Sequence, residues 1–298
     1  MSASTEAILV IQLTMLIAAL GHYIPMSMKQ LDIGIAGYFS MGAYTSALAT
    51  SWYGWPFPVA LALGAVAGMS GALVIDSLAT RVKLQGFAYA IFSLGFAESL
   101  RIVLRNVQSV GGAGGLAGIK AFTTLPIVFV LLACVLVGLW LLERSRLGQI
   151  KQAIHDDELI VPVFGVRLLV AKLTLFGIGG GLGGLAGGLY AHYVLFIRPD
   201  DFGFEFLIAL QLPLVFGGLD RVYGAVFGFL FLGFLPEVVR GLDQYRLIFT
   251  AGATLIVLCV RPSGLITHQT IRQFKARLRA RKGSGSVSSG GTPSLGKQ

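Results

Sequence analysis

An all-α, polytopic integral membrane bundle is the fold class this sequence predicts, and three observations carry it. Of 298 residues 55% are hydrophobic and only 12% charged, about half the charged fraction usual for a soluble domain. The mean hydropathy is +0.78. The apolar runs are long, unalternating and rich in Leu, Ala, Val and Gly, whereas a transmembrane barrel would show short alternating segments. Polar stretches punctuate these runs at intervals close to the roughly 20 residues that a spanning helix needs.

Taken in order, residues 7–25 form a first run, followed by Lys29, Gln30 and Asp32. The second, 33–52, carries Gly34, Gly37 and Gly42; the third, 57–75, is closed by Asp76, Arg81 and Lys83. A fourth covers 86–104, ending in Glu98, Arg101 and Arg105. The stretch 109–120 is too rich in glycine for a helix. A fifth run, 125–142, leads into a polar island at 143–176.

Beyond the island, 168–196 reads FGIGGGLGGLAGGLYAHY at its centre. Gly180, Gly184 and Gly188 are four apart, so they stack on one helix face and permit close helix packing. RPDDFG (198–203) is a polar turn, 204–216 a short run open to a re-entrant reading, and 225–239 and 247–260 are further runs. About eight or nine spanning segments result. Residues 1–265 are expected to form the transmembrane domain and 266–298 a basic, partly disordered tail.

The net charge of +9 is concentrated after Arg261. Beside a spanning helix that reads as a cytoplasmic tail touching anionic lipid rather than a nucleic-acid surface. Counting back from the tail puts the polar island in the cytoplasm as well. The N-terminus shows no basic leader or cleavage site, so the first run is expected to be retained.

The polar island is too long and too charged to cross a bilayer, since a mid-membrane charge costs roughly 2.5–3.5 kcal/mol even on lenient scales. Within it, 149–159 has Ile150, Ala153 and Ile154 at spacings that share a face, predicting a short amphipathic helix at the membrane surface. An acidic cluster, Asp156, Asp157 and Glu158, and the Gly165 break follow. These suit a docking element better than a tether.

No catalytic constellation is present. The chain has no GxxxxGK[ST] phosphate loop and no HExxH, and its four histidines are scattered. The cysteines, Cys134 and Cys259, lack disulfide or metal spacing. No enzyme activity, cofactor or metal is expected. Ionisable residues in or beside spans remain candidates for a translocation pathway. Glu98 and Arg101 are three apart and read either as a neutralised helix anchor or as a substrate contact. His192, beside Tyr190 and Tyr193, reads as a packing residue or a transport residue. Asp32, with Gln30 and Gly34 around it, is either a headgroup-level residue or part of a pathway at a broken helix.

The ordered motifs GAYTSALA (42–49), FAYAIFSLGFAESLRIVL (87–104), RLGQIKQAIHDDELIVPVFGV (146–166), GLAGGLYAHYVLFIRPDDFGF (184–204), VFGGLDRVYGAVFG (215–228), LPEVVR (235–240) and RPSGL (261–265) resemble the LivM-type permease subunit of bacterial ABC importers for branched-chain and other hydrophobic amino acids. The resemblance covers most of residues 30–265. It implies a LivH-type sister permease, two cytoplasmic ATPase subunits, a periplasmic binding protein and a bacterial inner-membrane location. It also makes 143–172 the coupling segment, with Leu147, Gly148, Ala153, Asp156, Asp157, Glu158 and Gly165 in its motif.

Ahead of GAY the family pattern G-Q-x-S-x-G-H is met only at Gln30 and Gly34, with Asp32 at the Ser position and Ile35 at the His position. Pro162 also interrupts the usual alanine-rich coupling segment. These departures leave room for urea, amides or another amino acid as substrate. A secondary transporter driven by an ion gradient is the competing class; it predicts an inverted repeat and mid-span acids, and no repeat is visible.

Overall fold

The computed structural model describes residues 3–238 apart from Gln85 and Asp220, with Gly252 alone beyond them. The expected span at 247–260, the motif at 261–265 and the tail at 266–298 lie outside the described residues. Nine α-helices run in order among the described residues: α1 (Ala3–Met26), α2 (Ile35–Ser51), α3 (Phe57–Arg81), α4 (Gly86–Asn106), α5 (Leu125–Arg144), α6 (Arg146–Asp156), α7 (Leu168–Val194), α8 (Phe204–Gly217) and α9 (Val222–Val238). Only one isolated bridge, Leu116 to Ile197, interrupts the all-helical character there.

Five of these helices, α1, α3, α4, α5 and α7, are long and apolar enough to cross a membrane. A sixth crossing arises if α8 and α9, which meet at a 119° bend, count as one broken span. Eight or nine such segments therefore do not appear among the described residues. Helix α2 has 17 residues, short of the roughly 20 needed to span alone, and it is buried along nearly its whole surface.

The packing has a centre and a rim. Helix α7 lies against α1, α2 and α3. Its face at Gly180 and Gly184 meets the backbone of Gly64 and Gly68 on α3: a Cβ on Gly180 would lie 2.7 Å from the Gly68 carbonyl oxygen, and one on Gly184 would lie 3.0 Å from the Gly68 Cα. Gly188 continues the face against Leu61 and Ser46, at 3.0 and 3.1 Å from such a Cβ. On another side Gly187 meets the α2 backbone at Phe39 and Ala43, and Gly179 meets Gly21 of α1. Axes this close gain dispersion contacts in place of side-chain volume. At the rim, α4 and α5 have only 22% and 17% of their apolar windows buried. They turn Ile91, Ile102, Phe129, Val130 and Val137 outward, as helices facing lipid do.

Two boundaries differ from the sequence-based expectation. Asp76 does not end the third helix, since α3 continues to Arg81; its side chain is buried, and one of its oxygens, Oδ1, accepts the Tyr89 hydroxyl. Helix α6 begins at Arg146 rather than Gln149, because Ser145 takes the N-cap and its Oγ accepts the Gly148 N–H at 3.4 Å.

Candidate functional site

All polar contacts of α6 and the turn after it converge on one end of the bundle. The α1–α2 turn, residues 27–34, is there because His155 Nδ1 lies 2.8 Å from the Ser27 carbonyl and Gln30 Nε2 donates to Glu158 Oε2 at 3.2 Å. At the opposite end the glycine-rich stretch pairs with the 195–203 turn through Leu116 and Ile197.

The first anchorage is built on Glu143, the penultimate residue of α5. Its Oε1 accepts the Tyr23 hydroxyl of α1 at 3.0 Å and the Val222 N–H of α9 at 3.4 Å. It also faces Lys151 Nζ at 3.7 Å, and its Oε2 faces Arg221 at 3.9 Å. Four elements thus share one carboxylate. Lys151 is buried, donates to Tyr23 at 3.2 Å and lies over that ring. Burial lowers its ammonium below the ordinary lysine range, and Glu143 opposes the shift. A cavity of about 150 Å³ lined by Glu143, Gly148, Gln149, Lys151, Gln152 and Arg221 opens beside it.

Gly148 explains how α6 sits so close. A Cβ there would lie 2.5 Å from the Glu143 carbonyl oxygen, so a side chain would push α6 off the end of α5.

Glu158 makes the second anchorage. It pairs with the buried Lys172 of α7 at 2.5 Å while accepting from Gln30. Of the acidic cluster, then, Glu158 turns inward, whereas Asp156 and Asp157 are exposed. Asp157 Oδ1 accepts the Leu159 N–H at 2.9 Å. Pro162 lies at the start of a single 3₁₀ turn, Val161–Phe164, where the missing N–H costs no helical bond. Gly165 ends that turn at φ +75°, in the left-handed region that favours glycine.

Between the two anchorages and Gly165, the outer surface is apolar. Leu159, Val163 and Phe164 are 80%, 81% and 75% exposed. On α6, Ile154 is buried, while Leu147, Ile150 and Ala153 are half-buried.

The candidate pathway residues separate. Gln30, Asp32 and Gly34 are together in the α1–α2 turn, with Asp32 Oδ1 accepting the Gly34 N–H at 2.8 Å. His192 is far along α7, fully buried, with Nδ1 2.8 Å from the Gly188 carbonyl and Nε2 3.0 Å from Thr50 Oγ1. A neutral ring that donates from Nδ1 and accepts at Nε2 satisfies both contacts. Phe57 and Phe122 pack around it. Glu98 pairs with Arg101 at 2.6 Å, and Arg101 also reaches Asp200 at 3.1 Å, so the pair ties α4 to the 199–202 turn.

Several residues of the junction had no mark in the sequence reading. Tyr23, Ser27 and Arg221 are brought to Glu143 and His155 only by the fold. Lys172 did carry a signal, as a charge near the start of a long apolar run.

Helices built for close approach, a lipid-facing rim and a polar segment pinned to one end define a multi-pass membrane protein with an aqueous appendage. A family model described as "Branched-chain amino acid transport system / permease component" matches residues 4–258, and the chain belongs to that family. It is similar to the high-affinity branched-chain amino acid transport system permease protein LivM of Escherichia coli (strain K12), 28% identical over 289 residues that cover 85% of this chain and 67% of the relative. It is also similar to the BraD permease protein of the same named system in Pseudomonas aeruginosa, 28% identical over 55% of this chain and 54% of the relative. The autoinducer 2 import system permease protein LsrC of Enterobacter sp. (strain 638) is 24% identical over 83% of this chain and 75% of its own length. No solved structure matches the chain.

Proposed function

We propose that this chain is the membrane-spanning subunit of an ATP-binding-cassette importer in the bacterial inner membrane, translocating branched-chain or other hydrophobic amino acids. The observation that carries the reading is the apolar patch of Leu159, Val163 and Phe164, displayed on a polar segment fixed to the bundle at Glu143 and Lys172. Large apolar side chains exposed in an aqueous segment are a docking surface for protein. In this reading the surface faces the cytoplasm and receives an ATPase subunit, residues 143–172 act as the coupling segment, and Leu147, Gly148, Ala153, Asp156, Asp157, Glu158 and Gly165 shape it.

Closure of two ATPase subunits would push α6, and the anchorages would pass that push to α1, α2, α7 and α9. A sister permease completes the pathway and a periplasmic binding protein delivers the substrate. The chain contributes no step of ATP hydrolysis. Gln30, Asp32, Gly34, Glu98 and His192 are pathway candidates. Residues 1–265 form the permease domain and 266–298 the cytoplasmic tail.

A second substrate reading has its own support. LsrC is named for autoinducer 2 import, and Asp32 is a buried carboxylate where the family pattern has serine. A small polar solute such as urea or an amide therefore stands as the alternative.

The test uses cells expressing the whole transporter with Leu159→Asp/Phe164→Asp in this chain. Uptake of labelled leucine, alanine and urea should fall at least tenfold while membrane insertion is unchanged, and an ATPase subunit should no longer co-purify. Uptake that survives the double substitution and needs no ATPase would point to a gradient-driven carrier instead.

A further inference from the structure

Behind the Glu158 anchorage the interior holds more acid than base. Asp32 of the α1–α2 turn is 3% exposed and Asp76 of α3 is 0% exposed. Asp32 acts electrostatically on Asp76, and both act on the buried Tyr38 of α2 and Tyr89 of α4. Tyr89 donates to Asp76 Oδ1. Asp32 Oδ1 and the Tyr38 hydroxyl border one point, 2.9 and 2.8 Å from where a Cβ on Gly34 would lie. Asp76 Oδ2 has no solvent and no hydrogen-bond partner.

The neighbouring elements do not supply the missing charge. From α4 come Tyr89 and Ser93, whose hydroxyl accepts the Ile33 N–H. From α7 comes Lys172, which acts on Asp76 but is held at 2.5 Å by Glu158. Arg81 and Lys83, at the end of α3, are exposed. Lys172, the buried ammonium that acts on Asp76, is thus already held by Glu158.

A lone buried carboxylate costs several kcal/mol even after relaxation, and a second one nearby adds repulsion. Such a group neutralises instead. Among the described residues no third His, Cys, Asp or Glu joins the two to make a metal-binding group. We infer that Asp32 and Asp76 form a proton-binding site that holds one proton between them at neutral pH, with Asp76 Oδ2 as its open acceptor.

The site also has a built-in connection to the coupling segment. While Glu158 holds Lys172, the pair needs its proton; when that ion pair opens, the ammonium can neutralise Asp76 and the proton leaves. The proton-binding claim concerns this chain alone and does not need the import reading.

Infrared difference spectra of the purified full-length chain in lipid, recorded across pH with deuterium exchange, test it. The wild type should show the carbonyl stretch of a protonated carboxylic acid at neutral pH, lost in the double variant Asp32→Asn/Asp76→Asn. In Glu158→Gln, where Lys172 is freed, the same band should disappear at a lower pH than in the wild type. A wild-type spectrum without the band, or a band that survives when both aspartates are replaced together, would overturn the site. A band seen only when sodium is removed would mean that the pair holds a metal cation, and overturns it equally. If an asparagine variant fails to fold, the wild-type band and the Glu158→Gln shift still decide.

Discussion

Helices α7 and α6 both bind to the bundle, and they do so by opposite means. Helix α7 comes close backbone to backbone: Gly184, Gly187 and Gly179 meet Gly64 and Gly68, the Phe39–Ala43 stretch and Gly21, while Gly180 and Gly188 also meet the side chains of Ala72, Leu61 and Ser46. Helix α6 comes close to backbone only at Gly148, against the end of α5, and is otherwise held by a few polar side chains, chiefly Lys151 and His155, joined by Glu158 just beyond it. The first kind of contact admits no displacement, because interiors are packed to crystal density and backbone cannot retreat. The second can break and re-form as discrete pairs. The proposed coupling of the polar segment to the bundle would use both.

The largest effect should come from filling the α7 contact. Gly184→Leu puts its Cβ against the Gly64 carbonyl and the Gly68 Cα, and overpacking of that kind should cost about 3 kcal/mol or more. The readout is loss of monodisperse protein after detergent extraction; a stable variant would mean that α3 and α7 separate more easily than their contact suggests.

Breaking the Glu143 joint comes next. Glu143→Ala leaves Lys151 buried with Tyr23 alone, a loss of about 2–3 kcal/mol. Thermal unfolding should show the double variant Glu143→Ala/Lys151→Met to be less destabilised than the single one, since both charges are then gone. Equal destabilisation would mean that the other partners of Glu143, Val222 and Arg221, carry the contact.

Gly165→Ala tests the end of the segment rather than its anchors. No atom lies within 4 Å of the added Cβ, so the cost is backbone alone, about 1 kcal/mol. Proteolysis should find the 159–167 turn more accessible, with global stability almost unchanged. The smallest effect on stability belongs to Phe164→Asp, within about 0.5 kcal/mol, as for an exposed side chain. Its association with an ATPase should nevertheless weaken at least tenfold, measured by co-purification at fixed salt.

The sequence marked most helices to within a few residues, because apolar runs bounded by Gly, Pro and charge leave little choice. It ran the polar island on to residue 176, whereas residues 168–176 belong to α7, a helix long and apolar enough to cross a membrane. It misplaced the start of α6, where a single hydroxyl on Ser145 decides the first turn, and it ended the third run before Asp76, because a carboxylate in an apolar run looks like a boundary until Tyr89 is seen to donate to one of its oxygens. The acidic cluster read as one surface, yet the turn after α6 exposes Asp156 and Asp157 and sends Glu158 inward to Lys172.

By itself, then, the sequence determined that the chain is helical, lies in a membrane and carries one polar segment, and its motifs resembled the family to which it belongs. Those properties depend on transfer free energies and local pattern, which are summed residue by residue. Only the tertiary structure decided which charges meet. Glu143 finds Tyr23 across 120 positions and Gln30 finds Glu158 across 128, and no local period encodes pairs so far apart. Whether a buried carboxylate is paired or left open, as at Asp76, depends on what the other helices place beside it.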